Sequence, residues 1–176
     1  MAPARRAIDQ LLERHAPFPA IAIDRLWNAV AINGPAMRVL GSLIAPHLLA
    51  APLNVMRASL HPEGLAPHIA NLPAWRAHLL ERLRRQVAAS ADGDLARLLA
   101  ELEALDDGGG TVKPIDGEGE VFVPMLIDTP AGRLSFLSTT TIFGTPNDVT
   151  LAEIAIESFF PADDATALAL LDRTSG

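Results

Sequence analysis

Arg57 is the charged residue with the most unusual setting in the sequence, because it lies inside the apolar segment LNVMRASL. A guanidinium among apolar neighbours can hold a carboxylate through two parallel hydrogen bonds. It can also snorkel to the surface or pair with an internal acid. Asn54 and His61 lie on nearby turns and can assist a bound acid, although His61 precedes Pro62 and more simply caps a helix end.

A run of hydroxyl residues, Ser138 to Thr141, lies in a segment with strong β-propensity. On a strand these side chains alternate between the two faces, so some of them point toward whatever the sheet covers. We predict that Thr139 and Thr141 line a polar end of a pocket. The alternative is that the run reflects β-propensity alone, with half of its hydroxyls in water.

The sequence lacks the motifs of common hydrolytic and nucleotide-dependent enzymes. It has no HExxH, GxSxG or GxxxxGKS/T, and no GxGxxG between a strand and a helix. Glu153 and Glu157 alternate on the outer face of the predicted last strand, roughly 13 Å apart, which is too far for a paired-carboxylate mechanism. We interpret Glu153 and Glu157 as part of a solvated edge or an interface. We predict no catalytic residue and a protein that is not an enzyme.

Metal chemistry has little support in the sequence. The absence of cysteine excludes thiolate ligands and disulfides. The five histidines show no paired metal spacing, and the one candidate pair, His78 and Glu81, stands three residues apart on a predicted helix. We predict no metal and no cofactor.

Composition and charge limit the function classes. A chain of 176 residues with 49% hydrophobic and 20% charged residues is typical of one globular domain. Its net charge of −7 opposes binding to a phosphate backbone. Arg82, Arg84 and Arg85 form a short basic cluster that can bind DNA or a partner, but a solvated helix face is the interpretation we favour. Without a membrane-spanning run or a signal peptide, we predict a cytoplasmic protein with no membrane contact.

The elements that must position these residues begin with an amphipathic helix from Ala4 to His15. The segment AIAIDRLWNAVAIN then predicts a hairpin of two short strands around the polar Asp24-Arg25 step. The N-terminal part of the chain is therefore a helix followed by a strand pair.

The middle of the chain, residues 34–105, has a helical pattern. One helix opens at Pro35, and PLNVMRASLHP predicts another. The strongest helix carries an i, i+3, i+4 stripe of Leu72, Trp75, Leu79, Leu83 and Val87. Asn71 is its expected N-cap, and the helix after it is capped by Asp92 or Asp94.

The C-terminal part predicts a meander of three antiparallel strands. Residues 106–120 are rich in glycine and acids and predict a loop. Strands are expected over 121–128, 133–143 and 149–160, with the first turn at TPAG and the second at GTPND. A short helix at 165–171 ends the chain.

This order predicts an α+β fold. Two N-terminal strands and the three-strand C-terminal meander form one antiparallel five-stranded sheet, with the helical insert packed on one face. The arrangement resembles the PAS-like fold, an architecture used for sensing small ligands.

Three stretches carry a more specific resemblance. They are PAIAIDRLWNAVAIN, LNVMRASLHPEGLAPHIANLPAWRAHLLERLRRQV and LSFLSTTTIFGTPNDVTLAEIAIESFFPAD, which span most of residues 17–164. They resemble the MmyB-like ligand-binding domain that follows the helix-turn-helix in XRE-family bacterial regulators. The resemblance implies a linker helix at residues 1–16 and a PAS-like ligand-binding domain at residues 17–176.

The same resemblance implies a cytoplasmic regulator that senses a small-molecule effector, with a fatty acid as the expected ligand class. No helix-turn-helix precedes Pro17, so we expect DNA binding only through a domain that is not in this chain, whether the chain is a fragment or a stand-alone sensor. A homodimer is expected because operators are commonly palindromic. The alternative function is a ligand-free dimerisation or protein-interaction module.

A sensor of an acyl chain needs an apolar cavity between sheet and helices and a few polar groups for the head group. Besides Asn54, Arg57, His61, Thr139 and Thr141, we expect contacts from apolar side chains that would wall the cavity: Trp27, Met37, Met56, Leu60, Trp75, Leu79, Phe136 and Phe143. The alternative is that these side chains fill the core completely.

Overall fold

The computed structural model describes residues 2–105, 122–143 and 153–172. The N-terminal and middle parts contain α1 (Ala2–His15), β1 (Ala20–Ile23), β2 (Ala29–Ile32), α2 (Gly34–Leu43), α3 (Pro46–Leu49), α4 (Val55–Leu60), a 3-10 turn (Ala66–His68), α5 (Leu72–Ser90) and α6 (Gly93–Glu103). The C-terminal part contains β3 (Met125–Thr129), β4 (Gly132–Ile142), β5 (Ala155–Pro161) and α7 (Asp164–Asp172).

The strands form one five-stranded sheet in the order β2-β1-β5-β4-β3. Every pair of neighbours is antiparallel, and β5 joins the N-terminal hairpin to the C-terminal meander. The predicted PAS-like α+β fold, with its five-stranded antiparallel sheet, is confirmed.

The two faces of the sheet carry separate apolar clusters, as the alternation of a strand requires. Ile21 and Ile23 of β1 join the large cluster beneath the helical insert α2 to α6. Ala20 and Ala22 face the other way and join a small cluster with Ile8 of α1. The insert therefore covers one face as predicted, and α1 packs against the opposite face.

The insert is fastened to the sheet at the β1–β2 hairpin. Asn28 and Asn54 form an isolated antiparallel bridge. The Asn54 amide donates to the Leu26 carbonyl at 2.9 Å and to Asn28 Oδ1 at 3.2 Å, while its own oxygen accepts from the Arg57 backbone N–H and caps α4. Asn54 is buried, and both its amide nitrogen and its amide oxygen bond to other groups of the fold.

A second fastening lies at the opposite edge of the sheet, on β3. The Asn71 amide donates to the Pro124 carbonyl at 2.7 Å, and Asn71 Oδ1 accepts from the Leu126 N–H at 3.1 Å. Asn71 occupies the N-cap position of α5, but its side chain makes no capping bond. The predicted N-cap position is therefore confirmed, but the edge of β3 binds the amide in place of a side-chain capping bond.

Of the two predicted caps of α6, Asp92 and Asp94, the structure shows Asp92 at the N-cap. Its carboxylate accepts from the Asp94 N–H at 2.8 Å and from the Leu95 N–H. At the other end of this helix, the Arg76 guanidinium donates to the carbonyls of Leu102, Glu103 and Leu105. These bonds satisfy carbonyls that the helix itself leaves without partners.

The first predicted turn of the meander is confirmed. Thr129 pairs with Gly132, so Pro130 and Ala131 form the connection, and Gly132 adopts a positive φ of 119° that favours glycine. β5 begins at Ala155, later than expected, and β3 begins at Met125. The predicted loop at 106–120 and the second turn, GTPND, lie outside the described residues.

Asn33 joins three elements through one buried side chain. Its oxygen accepts from the Ala20 N–H and the Ala36 N–H, both at 3.0 Å, and so caps α2. Its amide donates to the carbonyls of Leu12 and Phe18. Removing this amide leaves several backbone groups without partners in the interior.

Replacing Asn33 by leucine is expected to lower the free energy of unfolding by about 3 kcal/mol, because each buried group left unsatisfied costs about 1 to 3 kcal/mol. Asp92→Ala, which removes only a helix cap, should cost about 1 kcal/mol. Urea denaturation measures both values. Equal losses in the two variants would contradict the role of Asn33 as a buried junction.

Candidate functional site

A cavity of about 70 Å³ lies between the sheet and the helical insert. We call it the apolar chamber, and its wall includes Pro19, Ala36, Val39, Leu40, Leu53, Ala58, Leu65, Met125, Ile127 and Phe136. The chain turns back over α4 at Gly64, where a β-carbon would stand 2.3 Å from the Ala58 carbonyl oxygen, and this close approach delivers Leu65 to the wall.

A second cavity of about 50 Å³ adjoins the first, and we call it the polar chamber. The two share five wall residues: Ile21, Val55, Ser59, Trp75 and Phe159. The polar chamber alone is lined by Ile23, Trp27, Met56, Leu79, Arg82, Ser138 and Glu157. Trp75 donates from Nε1 to Ser59 Oγ at 3.4 Å, so polar groups of this shared wall are already paired.

An ion pair between Arg82 and Glu157 forms one wall of the polar chamber. Two parallel hydrogen bonds join them, from Arg82 Nη2 to Oε1 at 2.8 Å and from Nη1 to Oε2 at 3.2 Å. The Glu157 side chain is 6% exposed and that of Arg82 is 23% exposed. Thr140 accepts from Arg82 at 3.0 Å and donates to Glu157 at 2.8 Å. The pair is therefore poorly solvated and held in a fixed orientation.

Trp27 covers the guanidinium of Arg82. The Arg82 Cζ atom stands 4.7 Å from the centre of the indole ring, within the range of a cation–π contact. Trp27 has a positive φ of 67°, which is rare for a bulky residue. Its Nε1 donates to Gln86 Oε1 at 2.7 Å, so contacts on both its ring and its N–H hold this conformation.

The sequence of the β1–β2 connection explains how Trp27 reaches this position. The Asp24 carboxylate accepts from the backbone N–H groups of Leu26 and Asn28, both at 2.9 Å. The Trp27 N–H donates to the Asp24 carbonyl. Aspartate commonly closes such turns by bonding the backbone ahead of it, and this closure directs the indole toward α5.

His78 lies on α5 beside the ion pair. Burial lowers the pKa of its ring below the ordinary value, the positive charges of Arg82 and Arg85 lower it further, and Glu157 raises it in part. The ring packs against Trp75, with 5.5 Å between the ring centres. His78 is therefore neutral at physiological pH.

Five of the predicted ligand-binding residues line the chambers. Trp75 and Phe136 lie on the apolar chamber, and Trp27, Met56 and Leu79 lie on the polar chamber, which Trp75 also lines. The structure therefore gathers these side chains around one space. Their contact with a ligand stays a prediction.

Arg57 lies elsewhere, in a surface groove that also includes Asn54. Glu101 occupies its guanidinium through bonds of 2.6 Å and 2.8 Å, and both side chains are more than 40% exposed. The bond to Glu101 raises the pKa of Arg57, and the bond from Arg57 lowers the pKa of Glu101. Glu101 thus occupies the guanidinium of Arg57 that we predicted would bind the carboxylate of a ligand.

Of the remaining predicted residues, none appears on the walls of the two chambers. His61 ends α4, Leu60 is buried in the core, and Met37 is 45% exposed. Phe143 packs against the small cluster on the α1 face. The fold places these residues away from the two chambers.

The hydroxyl run, Ser138 to Thr141, alternates between the faces of β4 in the opposite phase from the prediction, which placed Thr139 and Thr141 toward the pocket. Ser138 lines the polar chamber and Thr140 bonds the ion pair, so these two face the insert. Thr139 and Thr141 point to the other face of the sheet and are exposed. A shift of one residue along a strand exchanges its two faces.

Sequence reasoning missed Arg82 and Glu157. The expected outer-face position of Glu157 is wrong, since the residue is 5% exposed and shares the inner face with Phe159. The interpretation of the basic cluster as a solvated helix face is confirmed for Arg84 and Arg85, which are exposed, and is wrong for Arg82. A signal was present, because Arg82 stands seven residues after Trp75 and three after Leu79, on the same apolar stripe.

His47, His61 and Glu63 are the described residues that could together hold a metal ion. Their ligand atoms lie within 4.8 Å of one another on the surface. The His61 Nδ1 atom accepts from the Glu63 backbone N–H at 3.0 Å, which leaves Nε2 as its ligand atom. The predicted absence of a metal stays a prediction.

The arrangement suits binding. On the walls of the two chambers, the ionisable side chains are Arg82 and Glu157, which pair with each other, and the rest are apolar or carry a hydroxyl. An apolar space with a few convergent polar groups is typical of a small-molecule site. The fold and the site together define a PAS-like ligand-binding module.

The sequence profile of the MmyB-like transcription regulator ligand binding domain matches residues 4–171. The match covers nearly the whole chain, and the chain belongs to this family. It is the ligand-binding domain of a transcription regulator. Within the described residues, no helix is both long and apolar enough to cross a bilayer.

The chain is also similar to the chaperone SurA of Bordetella avium (strain 197N), with 31% identity over 140 residues. The similarity covers 73% of this chain but 23% of the chaperone. The chain thus spans about a quarter of the length of this relative. The family match, which covers the chambers and both sheet edges, is the firmer basis for function.

Stability is expected to fall as the pH drops below about 6.5, the ordinary pKa of histidine. Burial lowers the pKa of both His15 and His78. Between their folded pKa and 6.5, the unfolded chain binds more protons than the folded chain, so acid favours unfolding and the effect vanishes above 6.5. Urea denaturation between pH 7 and pH 5.5 measures the slope.

The double variant His15→Gln, His78→Gln should flatten this pH dependence. A double variant with the slope of the original protein would show that other groups cause the loss.

Proposed function

We propose that this domain senses a small apolar acid of the fatty-acid class. The ligand would place its chain in the apolar chamber and its head group in the polar chamber. Ligand binding would then modulate DNA binding by a helix-turn-helix domain outside this chain. The proposal also includes a cytoplasmic location and a homodimer. The observation that carries it is the pair of adjoining chambers between sheet and insert, one apolar and the other bounded by Arg82.

Arg82 is a better anchor for the head group than Arg57. Arg57 is exposed and held by Glu101 outside the chambers, where water competes with any ligand. Arg82 is mostly buried, and hydrogen bonds to a charged group strengthen as solvent is removed. The groove at Arg57 stays a secondary proposal.

The volume of the chambers limits the ligand that fits without movement. An engineered apolar cavity of about 150 Å³ holds a benzene molecule, and the apolar chamber has about half that volume. A chain of roughly ten methylenes would gain about 8 kcal/mol gross from burial. To enter, it must join the two chambers by displacing the Trp75 and Phe159 side chains of their shared wall.

The same small volume favours a second candidate function, a ligand-free dimerisation or protein-interaction module. In that case the apolar side chains serve the core, and Trp75 and Phe159 stay in place. The two functions differ in whether the shared wall moves when an acyl acid is added.

Ala58→Leu tests the proposed chamber, because Ala58 is buried on its wall and the added carbons occupy the ligand's space. We expect the Kd for decanoic acid, measured by titration calorimetry, to rise at least tenfold. Ala77→Leu adds the same atoms on an exposed position of α5 and should leave the Kd unchanged.

The result separates the candidate functions. Binding that is lost in Ala58→Leu and kept in Ala77→Leu places the acid in the apolar chamber. Equal binding in both variants would exclude this chamber as the site. Failure of the original protein to bind any acid from octanoic to myristic would favour the interaction module.

A further inference from the structure

We propose that the Arg82–Glu157 pair receives the ligand's head group in a neutral form that both donates and accepts a hydrogen bond. The chemical classes that fit are a protonated carboxylic acid and its primary amide. This inference rests on the proposed function and adds the protonation state of the bound ligand, which sets how the sensor responds to pH.

The hydrogen-bonding capacity of the pair supports a donor and acceptor group. A guanidinium has five N–H donors, and Arg82 makes three described bonds, two to Glu157 and one to Thr140. Donors therefore remain on Arg82. A carboxylate has about four acceptor sites, and Glu157 accepts two bonds at Oε1 and one at Oε2. A ligand can accept from Arg82 and donate to Glu157 together.

Charge balance disfavours the carboxylate form of the ligand. Arg82 and Glu157 together carry no net charge, and Glu157 is 5% exposed. An incoming carboxylate would place a second negative charge beside Glu157, with one guanidinium between two anions. Like charges at a poorly solvated site favour the binding of a proton. A protonated acid keeps the site neutral and satisfies both partners.

Among the described residues that line the polar chamber, no side chain besides Arg82 carries a positive charge. On α5, Arg85 is 69% exposed and paired with Glu81, and His78 is neutral above its lowered pKa. β4 contributes the hydroxyls of Ser138 and Thr140, and the hairpin contributes Trp27. α4 contributes Val55, Met56 and Ser59, which do not titrate. Above pH 6.5 the proton taken up on binding therefore comes from the buffer and resides on the ligand.

This proton uptake determines how affinity depends on pH. Above the ordinary pKa of a carboxylic acid, about 4 to 5, each unit of pH lowers the protonated fraction of the free ligand tenfold. The Kd for an acid should therefore rise about tenfold per pH unit. The matching amide carries no ionisable proton, so its Kd should be constant.

The experiment compares octanoic acid with octanamide on the full chain. Titration calorimetry at pH 6.5, 7.5 and 8.5 gives each Kd, and buffers of different ionisation enthalpy count the protons taken up. We expect a hundredfold rise in the Kd of the acid across this range, one proton taken up per acid, and no change for the amide. An acid Kd that is independent of pH, with no proton uptake, would overturn the inference.

Glu157→Gln provides a matched test, because glutamine keeps the shape and removes the negative charge. Arg82 would then receive the carboxylate directly, so the acid should bind at pH 8.5 at least tenfold more tightly than to the original protein, with little pH dependence. An unchanged pH slope in a folded Glu157→Gln protein would also overturn the inference. If Glu157→Gln does not fold, the pH dependence of the Kd measured with the original protein still tests the inference.

The two proposals fail in different ways. If acid and amide both bind but the acid binds as an anion, only the inference about the head group fails. If neither compound binds at any pH, to the original protein or to Glu157→Gln, the proposed acyl-ligand function fails with it.

Discussion

Glu157 imposes the constraint on which the functional half of this domain depends. It stands on the central strand β5 with 5% of its surface exposed, where an unpaired carboxylate would be strongly destabilising. Arg82 must therefore reach it from α5, Thr140 must face it from β4, and Trp27 must close over the guanidinium. One buried charge thus fixes the position of the longest helix relative to the sheet and of the hairpin relative to that helix.

The space between sheet and insert follows from how the insert is attached. Polar bonds fasten it at both margins of the sheet, through Asn54 at the β1–β2 hairpin and Asn71 at β3. Between them, the contacts around Trp75 are apolar apart from its bond to Ser59 and the nearby Arg82–Glu157 pair, and two small chambers remain there. The packing around Trp75 is mostly non-directional, so the chambers can widen while the directional bonds at the two margins and at Arg82 keep the fold in shape.

Much of the fold could be predicted from periodicity, whereas the site could only partly be predicted. The 3.6-residue stripe through Trp75 and Leu79 correctly indicated α5, and both residues lie on the chambers. The phase of β4 could be read from Leu134 and Phe136, whose alternation places Ser138 and Thr140 on the insert face, but the hydroxyl run itself looks alike on both faces and was assigned in the wrong phase. Glu157 was placed on the wrong face because its partner is 75 residues away, and no local pattern reports such a pair.

The two tryptophans of the sequence, Trp27 and Trp75, both line the chambers and allow the most direct test of the account. With 5-fluorotryptophan incorporated, the domain should give two fluorine resonances, assigned through Trp27→Phe and Trp75→Phe. Titration with octanoic acid at pH 6.5 should shift both resonances to saturation with one shared Kd, because the ligand displaces the wall at Trp75 and reaches the pair beneath Trp27. Two resonances that stay in place for every acid from octanoic to myristic would contradict a ligand site between the sheet and the insert.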